Sequence, residues 1–201
     1  MTLRRKAYEV LREITENGAY ANIALKRASR DVPESDTARL YALVYNALEH
    51  RSYVEYLLGH YCRKPQKSVR VLLLLGTSEL LFLSTPPHAV ISETVELCKQ
   101  IGKKELSGFV NAVLRRIDRE RDSLPPLPDD PCERMSVLYG YPRFILEEWI
   151  ASYGAENTQS IVQFQRTDLQ VRAQYPFTAE ELAASLAGTF RRGTLDRKSV
   201  V

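Results

Sequence analysis

Three groups of basic residues give this sequence its clearest chemical potential, which is the binding of phosphate groups. They lie at residues 4–6, 63–70 and 115–121. The third group is partly offset by Asp118, Glu120 and Asp122, so a solvated helix end is its simpler interpretation, whereas the first group has less local compensation. Because lysine and arginine form charge-assisted hydrogen bonds with phosphate oxygens, we expect the first group to lead in contacting an anionic partner such as nucleic acid. The candidate phosphate-binding residues are Arg4, Arg5, Lys6, Arg115, Arg116 and Arg119.

No arrangement of nucleophiles or metal ligands in the sequence predicts an active site. Cys132, in the segment Asp-Pro-Cys-Glu, has no histidine near it, and the three histidines are scattered along the chain. The H-E-x-x-H zinc pattern and the glycine-rich nucleotide-binding loops are absent from the sequence. The three cysteines form no C-x-x-C pair, which argues against a structural zinc site or a disulfide framework. We therefore predict no catalytic residue, no metal site and no cofactor site in this chain.

Two polar residues in apolar surroundings predict a structural contact instead. Asn111 lies in the segment GFVNAVLRRI, whose apolar residues recur at helical spacing. Glu93 lies in ISETVEL, within the preceding predicted helix. Because a partly buried amide must be hydrogen-bonded, we expect these two side chains to pair and to fix the register between their helices.

Helical periodicity dominates the first 122 residues. About seven amphipathic segments follow one another with short loops, and none shows the sustained alternation of a strand. The most apolar run, residues 69–83, is too short for a membrane span and is interrupted by Arg70 and Glu79, so it should be a buried central helix. The sequence therefore predicts an all-α domain over residues 1–122.

The organisation changes after residue 122. A proline-rich linker is predicted at residues 123–135, followed at residues 136–195 by linker helices and the start of an incomplete α/β, RRM-like element, because DLQVRAQYPF alternates like a strand. In the helix of YPRFILEEWIASYG, the residues expected to face inward are Phe144, Ile145, Trp149 and Tyr153. One back-translation of the last six residues, DRKSVV, matches a sequencing-library adapter, so residues 196–201 are expected to be a non-native tail.

The charge distribution gives a mild indication of the partner and the compartment. Residues 1–122 contain 20 basic and 15 acidic residues, whereas the remainder has a small acidic excess. A basic N-terminal part is compatible with a nucleic-acid partner. The charged N-terminus has no signal-peptide hydrophobic region, and an odd number of cysteines suits a reducing compartment. We expect a cytoplasmic protein without a membrane partner.

Several motifs together resemble a known family. The segments VLLLLGTSELLFL, TPPHAVISETVELCK and GFVNAVLRRI resemble the helical domain of the antitermination factor NusB. With YPRFILEEWIASYG downstream, they look closer still to the N-terminal region of the Sun family of ribosomal RNA small-subunit cytosine-5 methyltransferases. Two departures are YPRFI, where the family more often has a tryptophan soon after the proline, and VRAQ, where it commonly has an asparagine.

The resemblance implies an RNA-binding helical domain joined to a bacterial methyltransferase domain, with which it would make intramolecular contact. That domain binds S-adenosylmethionine and uses a cysteine of a Pro-Cys motif. Neither site is expected in this chain, because Pro131-Cys132 falls in the predicted linker. Two alternatives remain open, namely a stand-alone RNA-binding protein of the antitermination type and a helical adaptor that binds only protein.

Overall fold

The computed structural model describes residues 2–164 and 178–185, and these residues form helices and connecting segments without any strand. The helices are α1 (Leu3–Asn17), α2 (Ala21–Ala28), α3 (Glu34–Glu49), α4 (Arg51–Tyr61), α5 (Lys67–Phe82), α6 (Pro87–Gln100), α7 (Ser107–Arg119), α8 (Pro131–Tyr139), α9 (Arg143–Tyr153), α10 (Ala155–Gln163) and α11 (Ala179–Ser185). The predicted all-α class and the seven helices before residue 122 are confirmed. The predicted strand, within residues 168–177, and the tail at 196–201 lie outside the described residues.

Helix α5 is the centre of the first seven helices. It contacts α1, α3, α4, α6 and α7, and every residue from 71 to 80 is buried. A helix that is apolar on all sides needs neighbours all round, which explains why the most apolar run became the central element. None of the helices in the described part of the chain is long and apolar enough to cross a membrane.

Close packing between α5 and α6 depends on Gly76. A Cβ atom at this position would lie 3.0 Å from Thr94 Cγ2 and 3.3 Å from Leu114 Cδ1. Thr94 itself is fixed, because its hydroxyl donates a hydrogen bond of 2.6 Å to the Val90 carbonyl. The glycine therefore allows α6 and α7 to approach the central helix.

We predict that Gly76→Ala is less stable than Gly59→Ala by about 1–3 kcal/mol in urea unfolding. Both changes gain helix propensity, but a Cβ at Gly59 in α4 would meet no atom of the described residues within 4 Å. Only the change at Gly76 overpacks a buried contact. Equal stabilities of the two variants would contradict this explanation of the packing.

Helices α8–α10 form a smaller core of their own. Its buried residues are Cys132, Met135, Leu146 and Val162. Two residues predicted to face inward, Phe144 and Tyr153, are instead 71% and 56% exposed, because Leu146 takes the buried position on α9. Burial raises the pKa of the Cys132 thiol, and its Sγ atom lies 3.7 Å from the Arg143 carbonyl oxygen. A buried thiol of this kind fits packing rather than nucleophilic chemistry.

The proline-rich segment is shorter and better anchored than the linker that we predicted. Helix α8 already begins at Pro131, and α8 packs against α4. Tyr56 of α4 donates a hydrogen bond to the Pro126 carbonyl, and Leu124 packs against the main core. The chain divides into two units, residues 1–163 and 164–201, so α8–α10 belong to the same unit as the first seven helices.

Candidate nucleic-acid interface

Arg4 is buried in the structure. It is the first residue of the basic group at residues 4–6, which we predicted to lead in contacting phosphate. Its side chain is 5% exposed, and its Nη1 atom lies 2.5 Å from Glu79 Oε2, whose side chain is 1% exposed. Its Nε atom donates a 3.0 Å hydrogen bond to Glu93, and Nη1 donates one of 3.3 Å to Thr94. Arg4 therefore joins α1 to α5 and α6 inside the fold. This burial removes it from the residues that we expected to contact phosphate.

The other two members of this group are also neutralised by carboxylates. Arg5 Nε donates to Glu9 at 3.1 Å along the same helix, and Lys6 Nζ donates to Asp31 at 2.7 Å. The hydrogen bond and the positive charge of Lys6 lower the pKa of the Asp31 carboxyl. A cation that is already paired attracts phosphate less than an unpaired one, so this group is a weaker candidate than its sequence indicated.

Glu93 and Asn111 have different partners in the structure. Helices α6 and α7 are adjacent, as the predicted pair requires. Glu93 accepts from Arg4, however, and Asn111 Oδ1 accepts a 3.1 Å hydrogen bond from Arg115 Nε. The direct hydrogen bond that we predicted is not among those that the described residues form. A guanidinium is the stronger partner for each acceptor, because the resulting hydrogen bond is charge-assisted.

The C-terminal end of α7 presents arginines next to an aromatic ring. Arg116 Cζ lies 5.1 Å from the centre of the Tyr61 ring, and Arg116 Nε donates to Glu120 at 3.0 Å. Arg119 is 75% exposed and lies 3.8 Å from the same carboxylate. The hydrogen bond from Arg116 lowers the pKa of Glu120, so this carboxylate stays charged and offsets one of the two arginines. One positive charge remains uncompensated here.

Tyr61 connects this end of α7 to the second basic group. It is the last residue of α4, and Arg63, Lys64 and Lys67 follow within six positions. All three are exposed, and within the described residues none of them has a carboxylate at ion-pair distance. Residues 51–70 contain five basic residues and a single acidic one, Glu55.

We name this region the Tyr61 surface, and its members are Tyr61, Arg63, Lys64, Lys67, Arg116 and Arg119. The Tyr61 ring packs against the main core, and this burial is the main cause of the raised pKa of its hydroxyl. Because the ring is held by the core, its cation–π contact also positions Arg116. The sequence shows both basic groups, but it gives no local signal that α4 and α7 bring them together.

No group of three or more histidine, cysteine or acidic side chains that could hold a metal ion occurs among the residues that the structure describes. The candidate site is the Tyr61 surface, in which Arg116 packs against the Tyr61 ring while Arg63, Lys64 and Lys67 are exposed. Such a surface can bind phosphate groups through charge and hydrogen bonds.

Comparisons with known proteins identify the family of this chain. The NusB family matches residues 1–119. The chain is 33% identical over 166 residues to a probable ribosomal RNA small subunit methyltransferase B of Bacillus subtilis (strain 168), which covers 80% of this chain and 37% of that protein. It is 28% identical over 163 residues to the ribosomal RNA small subunit methyltransferase B of Erwinia tasmaniensis, covering 79% and 37%. The protein of that name from Escherichia coli O1:K1 is 29% identical over 165 residues, and the match covers 80% of this chain and 37% of that protein.

The chain spans little more than a third of the length of the curated relatives that it matches. The family match ends at Arg119, which is also the last residue of α7, so it covers the helices around α5 and more than half of the chain. The resemblance inferred from the motifs is confirmed. The chain belongs to the NusB family.

Proposed function

We propose that this chain is the RNA-binding part of a bacterial ribosomal RNA small subunit methyltransferase. The observation that carries the proposal is the contact of Arg116 with Tyr61, which joins the basic end of α7 to the end of α4, where the second basic group follows in the sequence. Arg63, Lys64 and Lys67 follow Tyr61 within six positions of the sequence, and none of them forms an ion pair within the described residues. Phosphate contacts of this type fix the position and orientation of a nucleic acid without reading its sequence.

The methylation itself is assigned to the region that the relatives have and this chain does not span. S-adenosylmethionine would bind in that region, and the protein would act in the bacterial cytoplasm, where ribosomal RNA is made. The exposed Phe144 and Tyr153 of α9 are apolar side chains that an adjoining domain would cover. We expect the methyltransferase domain to pack there.

Photochemical crosslinking to a single-stranded RNA that contains 4-thiouridine tests the proposal. Tryptic peptides from residues 52–63 and from α7 should carry the crosslinked nucleotide, because they hold Tyr61 and the α7 arginines. Crosslinks confined to α1 would instead indicate that Arg5 and Lys6 form the RNA interface. A chain that binds no RNA at any salt concentration would favour a protein-binding adaptor.

A further inference from the structure

A groove between α6 and α7 lies outside the Tyr61 surface. Its volume is about 430 Å³, which falls in the size range of small-molecule sites. Ile91 and Val95 supply apolar surface, and Asn111, Arg115 and Asp118 line the groove from α7. Asn111 and Arg115 of the segment GFVNAVLRRI therefore line an open groove, and Asn111 does not join helices as we predicted.

Asn111 holds the guanidinium of Arg115 in one orientation. The Arg115 Nε atom donates to Asn111 Oδ1 at 3.1 Å, one helical turn away. Arg115 is exposed and, among the described residues, has no carboxylate at ion-pair distance and no further hydrogen bond. Its two Nη groups are therefore a fixed pair of donors, and the Asn111 amide nitrogen adds a further donor.

Asp118 provides an acceptor in the same groove. It lies three residues beyond Arg115 on α7, so the two side chains are neighbours on one helix face. Within the described part of the chain, no basic side chain forms an ion pair with it. The groove thus combines donors, an acceptor and an apolar wall.

The charge balance of the groove disfavours a bare anion. Its two cationic side chains, Lys99 and Arg115, are matched by Glu96 and Asp118, and Lys99 lies 3.0 Å from Glu96. A flat neutral ligand with apolar faces and polar edges suits such a lining better. Unpaired nucleobases have this chemistry, and proteins recognise them in single-stranded RNA through their edges.

Among the bases, guanine matches the order of donors and acceptors. Its O6 and N7 atoms are adjacent acceptors that take both donors of an arginine fork. Its N1 and N2 donors lie on the neighbouring edge, where a carboxylate can accept them. Adenine and cytosine place an amino group where the arginine needs an acceptor.

We propose that this groove binds one unpaired guanine of the RNA, with Arg115 and Asp118 reading its edges and Asn111 positioning Arg115. This inference rests on the proposed function, because the Tyr61 surface would hold the phosphates of the same strand.

The test compares the binding of the oligonucleotides UUGUU, UUAUU, UUCUU and UUUUU to the chain by fluorescence anisotropy. The wild type should prefer UUGUU, and Arg115→Lys should reduce that preference about tenfold, because lysine keeps the charge but loses the fork. Asn111→Ala should reduce it as well, by releasing Arg115. Arg12→Lys, at an exposed arginine of α1 outside both the groove and the Tyr61 surface, is the matched control and should leave the preference unchanged.

The outcomes separate the two proposals. Equal affinity for all four oligonucleotides, or an unchanged guanine preference in Arg115→Lys, overturns the guanine site while the RNA-binding function stands. If neither the oligonucleotides nor a longer RNA binds to the chain, both the RNA-binding function and the guanine site are overturned. Circular dichroism verifies that each variant is folded, and Arg115→Lys, at an exposed position, keeps the test decisive if Asn111→Ala unfolds.

Discussion

Replacing Arg4 by methionine should lower the free energy of unfolding by about 3–5 kcal/mol. The substitution keeps an unbranched apolar side chain on α1 but removes the guanidinium that balances Glu79. Both Glu79 oxygens are buried and make no well-aligned hydrogen bond within the described residues, so the Arg4 ion pair at 2.5 Å is what compensates that charge. An uncompensated buried charge is among the largest penalties that a single substitution creates.

Two further variants give this prediction its controls in urea unfolding. Arg5→Met removes an exposed pair with Glu9 in the same helix and should cost only about 0.3–0.5 kcal/mol. The double variant Arg4→Met with Glu79→Leu should recover most of the loss, because it removes the unpaired charge as well. A loss in Arg4→Met no larger than in Arg5→Met would show that the buried pair does not support the fold.

The triple variant Arg63→Ala/Lys64→Ala/Lys67→Ala should weaken RNA binding about a hundredfold near 0.1 M salt. Each phosphate that is neutralised releases counterions, and for single strands log K changes by about 0.7 per contact for each decade of salt concentration. These three cations are exposed and lack ion pairs within the described residues, so they are free to make such contacts. The substitutions lie in a surface loop and the first turn of α5, so the fold should be retained.

The matched control is Arg5→Ala/Lys6→Ala/Arg12→Ala, which removes the same amount of charge from α1. All three of its cations are paired with carboxylates in the structure. Its affinity for the same single-stranded RNA, measured by filter binding, should fall much less than that of the loop variant. A larger fall in the α1 variant would restore the assignment made from the sequence.

The helices were predictable because their signals are local. Apolar residues at helical spacing indicate α1 and α7, and Gly18, at φ 69°, ends α1 as the Asn17-Gly18 pair predicts. The helix α8 was missed although its signal is present. Asp130 accepts a 2.9 Å hydrogen bond from the Glu133 backbone, and Pro131 takes the first helical position. Because the segment is rich in proline, we predicted a linker there, although the residues that start a helix are present.

Arg4 shows that a charged residue cannot be assigned to the protein surface from its charge alone. Arg4, Ala7, Tyr8 and Leu11 follow the spacing of one helix face, so periodicity alone places Arg4 among buried residues. Its partner Glu79 interrupts the most apolar run in the same way. Two opposite charges in otherwise apolar stripes were a signal for a buried ion pair.

The Tyr61 surface could not be predicted from the spacing of residues in the sequence. The distance in sequence between Tyr61 and Arg116 is bridged only by the packing of α4 and α7. Likewise, pairing decides which cations are free, and the partner of Lys6 is Asp31, on a different segment. Both facts are properties of the tertiary structure.

The salt dependence of RNA affinity tests the Tyr61 surface most directly. Log K is plotted against log salt concentration for the wild type, the loop triple variant and the α1 triple variant. We predict that the slope of the loop variant is smaller than that of the wild type by about two units, because three phosphate contacts are lost, while the α1 variant keeps the slope of the wild type. An unchanged slope in the loop variant, together with a reduced slope in the α1 variant, would contradict the assignment of RNA binding to the Tyr61 surface.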